Sequence, residues 1–415
     1  MARPQVTIPL DIPDVRVLGT EITAKGEVII TVESIKDETV CHHCGKMIRK
    51  FHGHDGWMSI RYLPVFGRPA YLRYRPKRYQ CQECEGKPTT TQTLEWYNPN
   101  SPHSIAYDEH ILLQLVNATI EDVAMKEGLA YDSVLGALER QVDEKVNWSS
   151  YTKLKTLGLD EIALKKGHRD FVVIVTARLE DERVVILGVL ADRLKDTVIE
   201  FLRLIPERLK KTIETVCSDM YEGYIEAVRE ELKGSQIVID RFHVTRSYRD
   251  GVDEFRKSEL KRLKEELSEE TYLELKGSLW ACRKKYEDLR PEERKVRKLF
   301  FEHAPKLKLA YTLQDQLSAI FDQSISKKAA KTRIQTWKKR VKASELKCFD
   351  RFIKTLERWW EEILNFFVAR RNSGFVEGFN NKLKVLKRRC YGIYNLKHLF
   401  QRIFIDLEGY RLFAA

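Results

Sequence analysis

The 415-residue chain reads as a multidomain α/β protein on three observations. Two Cys-x-x-Cys pairs, Cys41/Cys44 and Cys81/Cys84, lie in an N-terminal stretch of short alternating segments. Three successive strand-like runs between Thr156 and Leu190, the second and third of them β-branched, precede two more short strands separated by amphipathic helices. From about residue 245 to 370 the chain is charged, helical in pattern and almost free of proline. With 43% hydrophobic and 32% charged residues the composition is that of a folded chain long enough for several domains.

Lys and Arg number 73 against 61 Asp and Glu, a formal charge of +12, with a pI of about 9.1. That excess favours a polyanionic partner, most simply nucleic acid. No run of about 18 apolar residues exists, so no membrane-spanning helix is expected. The opening MARPQVTIPLDIPD lacks the apolar core of a signal peptide. Four of the eight cysteines are scattered (Cys217, Cys282, Cys348, Cys390), and without a secretion signal the set predicts reduced, metal-binding thiols rather than disulfides.

Taken in order, Val15, Val17 and Leu18 before a Lys25–Gly26 turn, and Val28, Ile30 and Val32 after it, predict a hairpin. Each Cys-x-x-Cys knuckle offers two thiolates from one tight turn, which suits a tetrahedral zinc site of Cys41, Cys44, Cys81 and Cys84. His42, His43, His52 and His54 are the alternative ligands. The 36 residues between the knuckles exceed the usual gap. They hold the strand-like WMSIRYLPVF and AYLRYRPKRYQC, so a hairpin extension of a zinc ribbon is expected over 1–97. A structural Zn²⁺ would hold such a small domain together. Arg73, Arg75, Lys77 and Arg78, interleaved with tyrosines, form a basic aromatic face suited either to a DNA backbone or to solvent.

Residues 98–104, NPNSPHS, read as a linker. Tyr107–Val116 is a short amphipathic helix, Thr119 caps Ile120–Lys126 with Asp122 at its third position, Gly128 turns the chain, and Tyr131–Val142 is helical again. With small Ala124 at the crossing, this predicts a helix-turn-helix over 105–148, although an ordinary helical hairpin shares the pattern. The last of these helices is too weakly basic to assign base contacts.

The runs Thr156–Leu164, Phe171–Ala177 and Arg183–Leu190 are so continuously apolar that their sheet should be covered on both faces. A helix (Leu194–Leu209), a strand (Thr212–Cys217, ending at Ser218–Asp219), a helix (Tyr221–Leu232) and a strand (Gln236–Ile239, ending at Asp240) follow. Three meandering strands, then helix, strand, helix, strand, is the ribonuclease-H-like layout, with its first part at 152–245. An ionised Asp160 among apolar neighbours is costly unless it reaches solvent at the strand edge or binds a metal. The layout sets Asp160 beside Asp219 at strand ends, where open α/β sheets place their sites. Glu161 points to the opposite face. Asp240 either caps the next helix or supports the site from behind together with His243.

Residues 246–370 form an all-α insertion. Within it Lys327–Lys342 holds eight Lys or Arg and no acid, and Lys338, Lys339 and Arg340 are candidate contacts to a DNA backbone. From 371 to 412 the chain returns to the core. Phe375, Phe379, Leu383 and Leu386 mark the buried face of a helix, while Glu377, Asn381, Lys384 and Arg388 share the opposite face. Three carboxylates, Asp160, Asp219 and Glu377, suit two hard divalent cations, Mg²⁺ or Mn²⁺, and phosphoryl transfer. The Asn381, Lys384 and Arg388 row would hold phosphates without reading bases.

The Cys-x-x-Cys ribbon, the helix-turn-helix, LGLDEIALKKGH, CSDMYEGY, VIDRFHV and SGFVEGFNNKLKVLKRRCYG together resemble the DDE transposases of the insertion-sequence family usually written ISL-three, over nearly the whole chain. The resemblance implies Asp160, Asp219 and Glu377 as the catalytic trio, with Mg²⁺ chemistry. It implies terminal inverted repeats and target DNA as substrates, and an N-terminal region for end recognition. The expected protein is prokaryotic, cytoplasmic and nucleoid-associated, and works as a homodimer or higher assembly on DNA. Competing expectations are a DNA-binding regulator that has lost catalysis and a nuclease that hydrolyses without joining.

Overall fold

Short alternating segments at the N-terminus become β1 (Val15–Ile22), β2 (Val28–Ser34), β3 (Thr39–Val40), β4 (Met47–Ile48), β5 (Phe51–His54), β6 (Met58–Val65), β7 (Arg68–Tyr74), β8 (Lys77–Gln80) and β9 (Thr89–Thr91). The computed structural model describes residues 10, 12–164, 171–284, 286–368, 374–390 and 395–414. They fall into two units, Met1–Glu144 with Gln401–Ala415, and Lys145–Phe400. In the first unit β1, β2, β7 and β6 form a sheet in that order, with β2 and β7 parallel. Ile30, Val32, Ile60, Leu72 and Tyr74 pack from it against Trp96 and Tyr97. The β6–β7 hairpin lies in the sequence between the two cysteine knuckles.

Helices α1 (Ile105–Leu115), α2 (Ile120–Glu127) and α3 (Tyr131–Gln141) follow. Thr119 and Asp122 form a reciprocal capping box at the start of α2. Gly128 ends α2 at φ 64°, a left-handed conformation that glycine adopts without a Cβ penalty. Val123, Val134 and Leu138 close on Tyr107, Ile111 and Leu115.

Residues 98–104 are more than a tether. Ser101, His103 and Ser104 are 7%, 2% and 1% exposed. The backbone of Arg61 in β6 bonds both ways, its N–H to Pro102 O at 2.8 Å and its carbonyl to Ser104 N–H at 2.9 Å. His103 Nδ1 lies 2.9 Å from Asp108 in α1, and Arg140 in α3 grips the same carboxylate through two 2.8 Å bonds. Polar residues that read as a linker are buried because they meet partners, Ser101 within the segment itself, His103 and Ser104 also from β6, α1 and α3. The C-terminal segment differs in a similar way. The sequence reading places 371–412 with the sheet core, yet Gln401 donates to Val142 O at 2.6 Å and Arg402 to Leu115 O at 3.0 Å. Asn117 N–H bonds Asp406, and Ile405 joins the apolar cluster of α1–α3.

In the second unit β10 (Thr156–Ala163), β11 (Phe171–Arg178) and β12 (Val184–Leu190) meander, then α4 (Lys195–Leu204), α5 (Glu207–Lys210), β13 (Thr215–Ser218), α6 (Glu222–Glu231) and β14 (Gln236–Ile239) follow. The helix expected over Leu194–Leu209 is broken at Pro206, which lacks an N–H and disfavours helical backbone at Ile205. Strand order is β12-β11-β10-β13-β14, antiparallel across the first three and parallel from β10 to β14, the ribonuclease-H-like arrangement. Successive residues of β10 are buried whichever way they point, so both faces of the sheet are covered. The all-α insertion comprises α7 (Arg241–Glu266), α8 (Glu269–Glu274), α9 (Ser278–Arg283), α10 (Pro291–His303), α11 (Pro305–Asp322), α12 (Lys327–Ser344), α13 (Asp350–Arg358) and α14 (Trp360–Leu364). α15 (Gly374–Arg389) then returns to pack on β10, and α16 (Leu396–Phe413) ends the chain. Among the described residues no helix is long and apolar enough to cross a membrane.

Burial alone would raise the Asp108 carboxyl, but bonds from His103 and Arg140 hold it below the usual range. Its contribution is therefore complete above the unfolded carboxyl value near pH 4 and lost as pH falls through the lower folded value. Asp108→Ala leaves Arg140 facing a buried gap and should cost about 3 kcal/mol of first-unit stability at neutral pH, read by thermal or urea unfolding. A change below about 0.5 kcal/mol would show that the network holds nothing.

Candidate functional site

The parallel pairing of β10 with β13 runs in the register Thr156↔Thr215 to Leu159↔Ser218. β13 with β14 runs from Thr215↔Gln236 to Ser218↔Ile239. One step beyond each last pair stand Asp160, Asp219 and Asp240, so the sheet lines up three carboxylate residues from its central strand to its β14 edge. Asp160 and Asp240 are 6% and 7% exposed. Asp160 accepts from Glu161 N–H at 2.7 Å. Asp219 accepts from Met220 N–H at 2.5 Å and faces His243 Nδ1 at 3.1 Å. Asp240 caps α7, accepting from Phe242 N–H at 2.8 Å. A helix N-terminus is a favourable place for that carboxylate, which gives Asp240 a structural task of its own.

A cavity of about 340 Å³ opens at Asp160 and Asp240, lined by them and His243 on one side and by Asn381 and Lys384 of α15 on the other; Asp219 is not among the described residues lining it. Glu377 lies on α15 one turn before Asn381, and its side chain is outside the described residues. Arg388 folds back to Lys384 O at 3.2 Å. Lys338, Lys339 and Arg340 lie on α12 and are not among the described residues lining this cavity. Lys338 bonds Glu357 at 2.6 Å, and Arg340 bonds Gln316 at 3.3 Å. Glu161 pairs with Arg193 at 3.2 Å. Burial first, then Glu161 and Asp160, push the ionisation of the buried Tyr224 hydroxyl far up.

Sequence reasoning missed Lys387 and Arg246, which also line the cavity. Lys387 Nζ donates to Ala163 O at the end of β10, and burial lowers its pKa. Its position, one turn past Lys384, extends the polar face of α15 and was the available signal.

In the first unit the ligand atoms of Cys41, Cys44, Cys81 and Cys84 all lie within 4.8 Å of one another. His42, an alternative ligand from sequence, instead places Nδ1 2.9 Å from Thr90 Oγ1. Backbone N–H groups of Cys44 and His43 bring the Cys41 thiol down to about 6, while the Cys44 and Cys81 sulfurs push Cys84 up to about 12. Four thiols so crowded cannot all ionise unaided, and a soft, thiolate-binding dication such as zinc fits that donor set.

A sequence model described as transposase, of the DDE ISL3 type, matches residues 157–403. A second, described as the zinc-finger of transposase IS204/IS1001/IS1096/IS1165, matches 37–84. The chain is 24% identical over 373 residues to the transposase for insertion sequence element IS1001 of Bordetella parapertussis, covering 89% of each. It is 23% identical over 404 residues to the transposase for insertion sequence element IS1557 of Mycobacterium tuberculosis, covering 90% of this chain and 87% of the other. A solved structure, the Drosophila P element transposase strand transfer complex, covers 74% of this chain and 92% of its own at 13% identity and a TM-score of 0.39, a likeness too slight to carry an argument. Since the first match spans more than half of the chain, this protein belongs to the ISL3 family of transposases.

Proposed function

We propose that the chain binds the terminal inverted repeats of an insertion sequence, cleaves DNA at the element ends and joins the freed 3′-hydroxyl to target DNA. The observation that carries this reading is the register that sets Asp160 beside Asp219, with Asp160 lining a cavity whose far wall is Asn381 and Lys384. Hard carboxylate oxygens on neighbouring strand ends are the donors that Mg²⁺ or Mn²⁺ takes. Asp160, Asp219 and Glu377 would hold two such ions. When bound, they supply activation of the attacking oxygen and charge stabilisation of the leaving one.

The chain's own residues do the positioning. His243 touches Asp219 and fixes the orientation of its carboxylate. Asp240 holds the start of α7, and so His243, in place. Lys384 and Asn381 present a cation and an amide to a phosphate entering the cavity, which secures register without sequence readout. Lys338, Lys339 and Arg340 on α12 offer further backbone contacts. Zinc at the four cysteines would be structural, holding the ribbon in the form that meets the element end. The reaction handles two DNA ends, so a homodimer or higher assembly on DNA in the prokaryotic cytoplasm, at the nucleoid, fits it.

Three outcomes check the reading. Asp160→Asn, Asp219→Asn and Glu377→Gln should each cut cleavage of an end-containing duplex by about 10³-fold or more while leaving its binding within about twofold. A variant that still cleaves removes its residue from the trio. Metal analysis should find one zinc per chain; its chelation should weaken end binding while Lys145–Phe400 keeps its unfolding transition, and a zinc-free protein that binds normally would end the structural role. Lys384→Ala should weaken binding to unrelated DNA sequences alike and lower the salt slope by about one phosphate's worth, whereas a sequence-selective loss would contradict a backbone contact.

A further inference from the structure

A second groove in Lys145–Phe400, of about 860 Å³, shares His243 and Arg246 with the carboxylate cavity. Met220, the residue after Asp219, also lines the groove. One wall is the exposed face of α7; the other is the segment running through α13. On that second wall Lys347, Arg351, Lys354 and Arg358 recur at steps of four, three and four residues, so they form one exposed basic stripe. Arg358 pairs with Glu222. Lys347, Arg351 and Lys354 have no carboxylate within ion-pair distance among the described residues. The α7 wall is different in character: Ser247, Asp250 and Glu254 outnumber its one arginine, Arg246, which lies 3.5 Å from Asp250.

The floor is closed by a backbone contact. A Cβ added at Gly251 of α7 would sit 2.1 Å from Cys348 O, so only glycine allows the two walls to meet this tightly. The basic stripe spans about 16 Å at 1.5 Å per residue, room for a few nucleotides. A cationic wall facing an acceptor wall suits a polyanion charged along one edge and bearing hydrogen-bond donors along the other. A single nucleic-acid strand has that form, with phosphates on one edge and base amino groups on the other. A duplex presents phosphates on both edges and would set one backbone against Asp250 and Glu254.

We propose that this groove holds a single-stranded stretch of the DNA adjoining the scissile phosphate, with its phosphates on Lys347, Arg351 and Lys354 and its path leading past His243 to the carboxylate row. The assignment rests on the transposase reading and adds the form of the substrate, an unpaired segment next to the cleavage point.

The test is fluorescence anisotropy with full-length, zinc-loaded protein in buffer without Mg²⁺ or Mn²⁺, comparing a labelled duplex of an element end that carries an unpaired six-nucleotide tail with the blunt duplex of the same end. Arg351→Ala/Lys354→Ala removes two exposed cations and no core contact. It should weaken the tailed probe about 10-fold and lower its salt slope by about 1.4, two single-strand phosphates' worth, with the blunt probe within about twofold. Equal losses on both probes, or none on the tailed one, would overturn the groove as a single-strand site. Asp160→Asn should bind both probes as the unaltered protein does. If the unaltered protein with Mg²⁺ neither cleaves nor joins an end-containing duplex, the transposase reading fails on its own account, while the anisotropy comparison continues to decide the groove.

Discussion

The parallel pairing of β10 with β13 is the constraint on which the site depends. Asp160 and Asp219 are 59 residues apart in the sequence, 219 less 160, and become neighbours only because Leu159 stands opposite Ser218. The register is held by burial. All four residues of β13 are buried, and a slip of one would send every side chain to the other face of a sheet that is covered on both sides. The same pairing carried one strand further places Asp240, so the row of carboxylates follows from strand register and needs no special loop.

Two buried aspartates beside the half-buried Asp219 require compensation, and the chain supplies it from two helices. α15 brings Lys384 and Lys387, the latter anchored to the last carbonyl of β10. α7 begins at the third aspartate, delivers His243 to the second, and continues as one wall of the basic groove. One helix thus ties the sheet to the insertion. In the first unit the logic is similar at smaller scale: the crowded thiols stand where a larger domain would have a hydrophobic core, and two of them, Cys41 and Cys81, make only a small buried cluster with Ile48 and Tyr79.

Much of this was legible in the sequence, and the reasons for success and failure differ. The strands of the sheet were readable because β-branched runs leave few alternatives, and α2 because Thr119, Asp122 and Gly128 signal its start and stop locally. The four cysteines announced themselves by spacing. What escaped was non-local. The bond from Lys387 to Ala163 links residues 224 apart, and the burial of His103 depends on Asp108 and, through it, on Arg140 in another helix. The basic run of α12 drew the eye by density, yet Lys327 and Lys338 turn to Glu361 and Glu357. The cations of Lys347–Arg358 are diluted among Phe349, Phe352 and Leu356, which are core, and only the folded helix gathers them into a stripe. Glu377 was named from its helical position, and its side chain lies outside the described residues.

The central claim is that Asp160, Asp219 and Glu377 form one metal-binding site. The most direct measurement is anomalous diffraction from crystals of the protein with a DNA end and Mn²⁺. The account predicts manganese density bound by Asp160, Asp219 and Glu377, with the scissile phosphate among the ligands. Manganese bound instead by Asp160 and Asp240, with Glu377 remote, would contradict it.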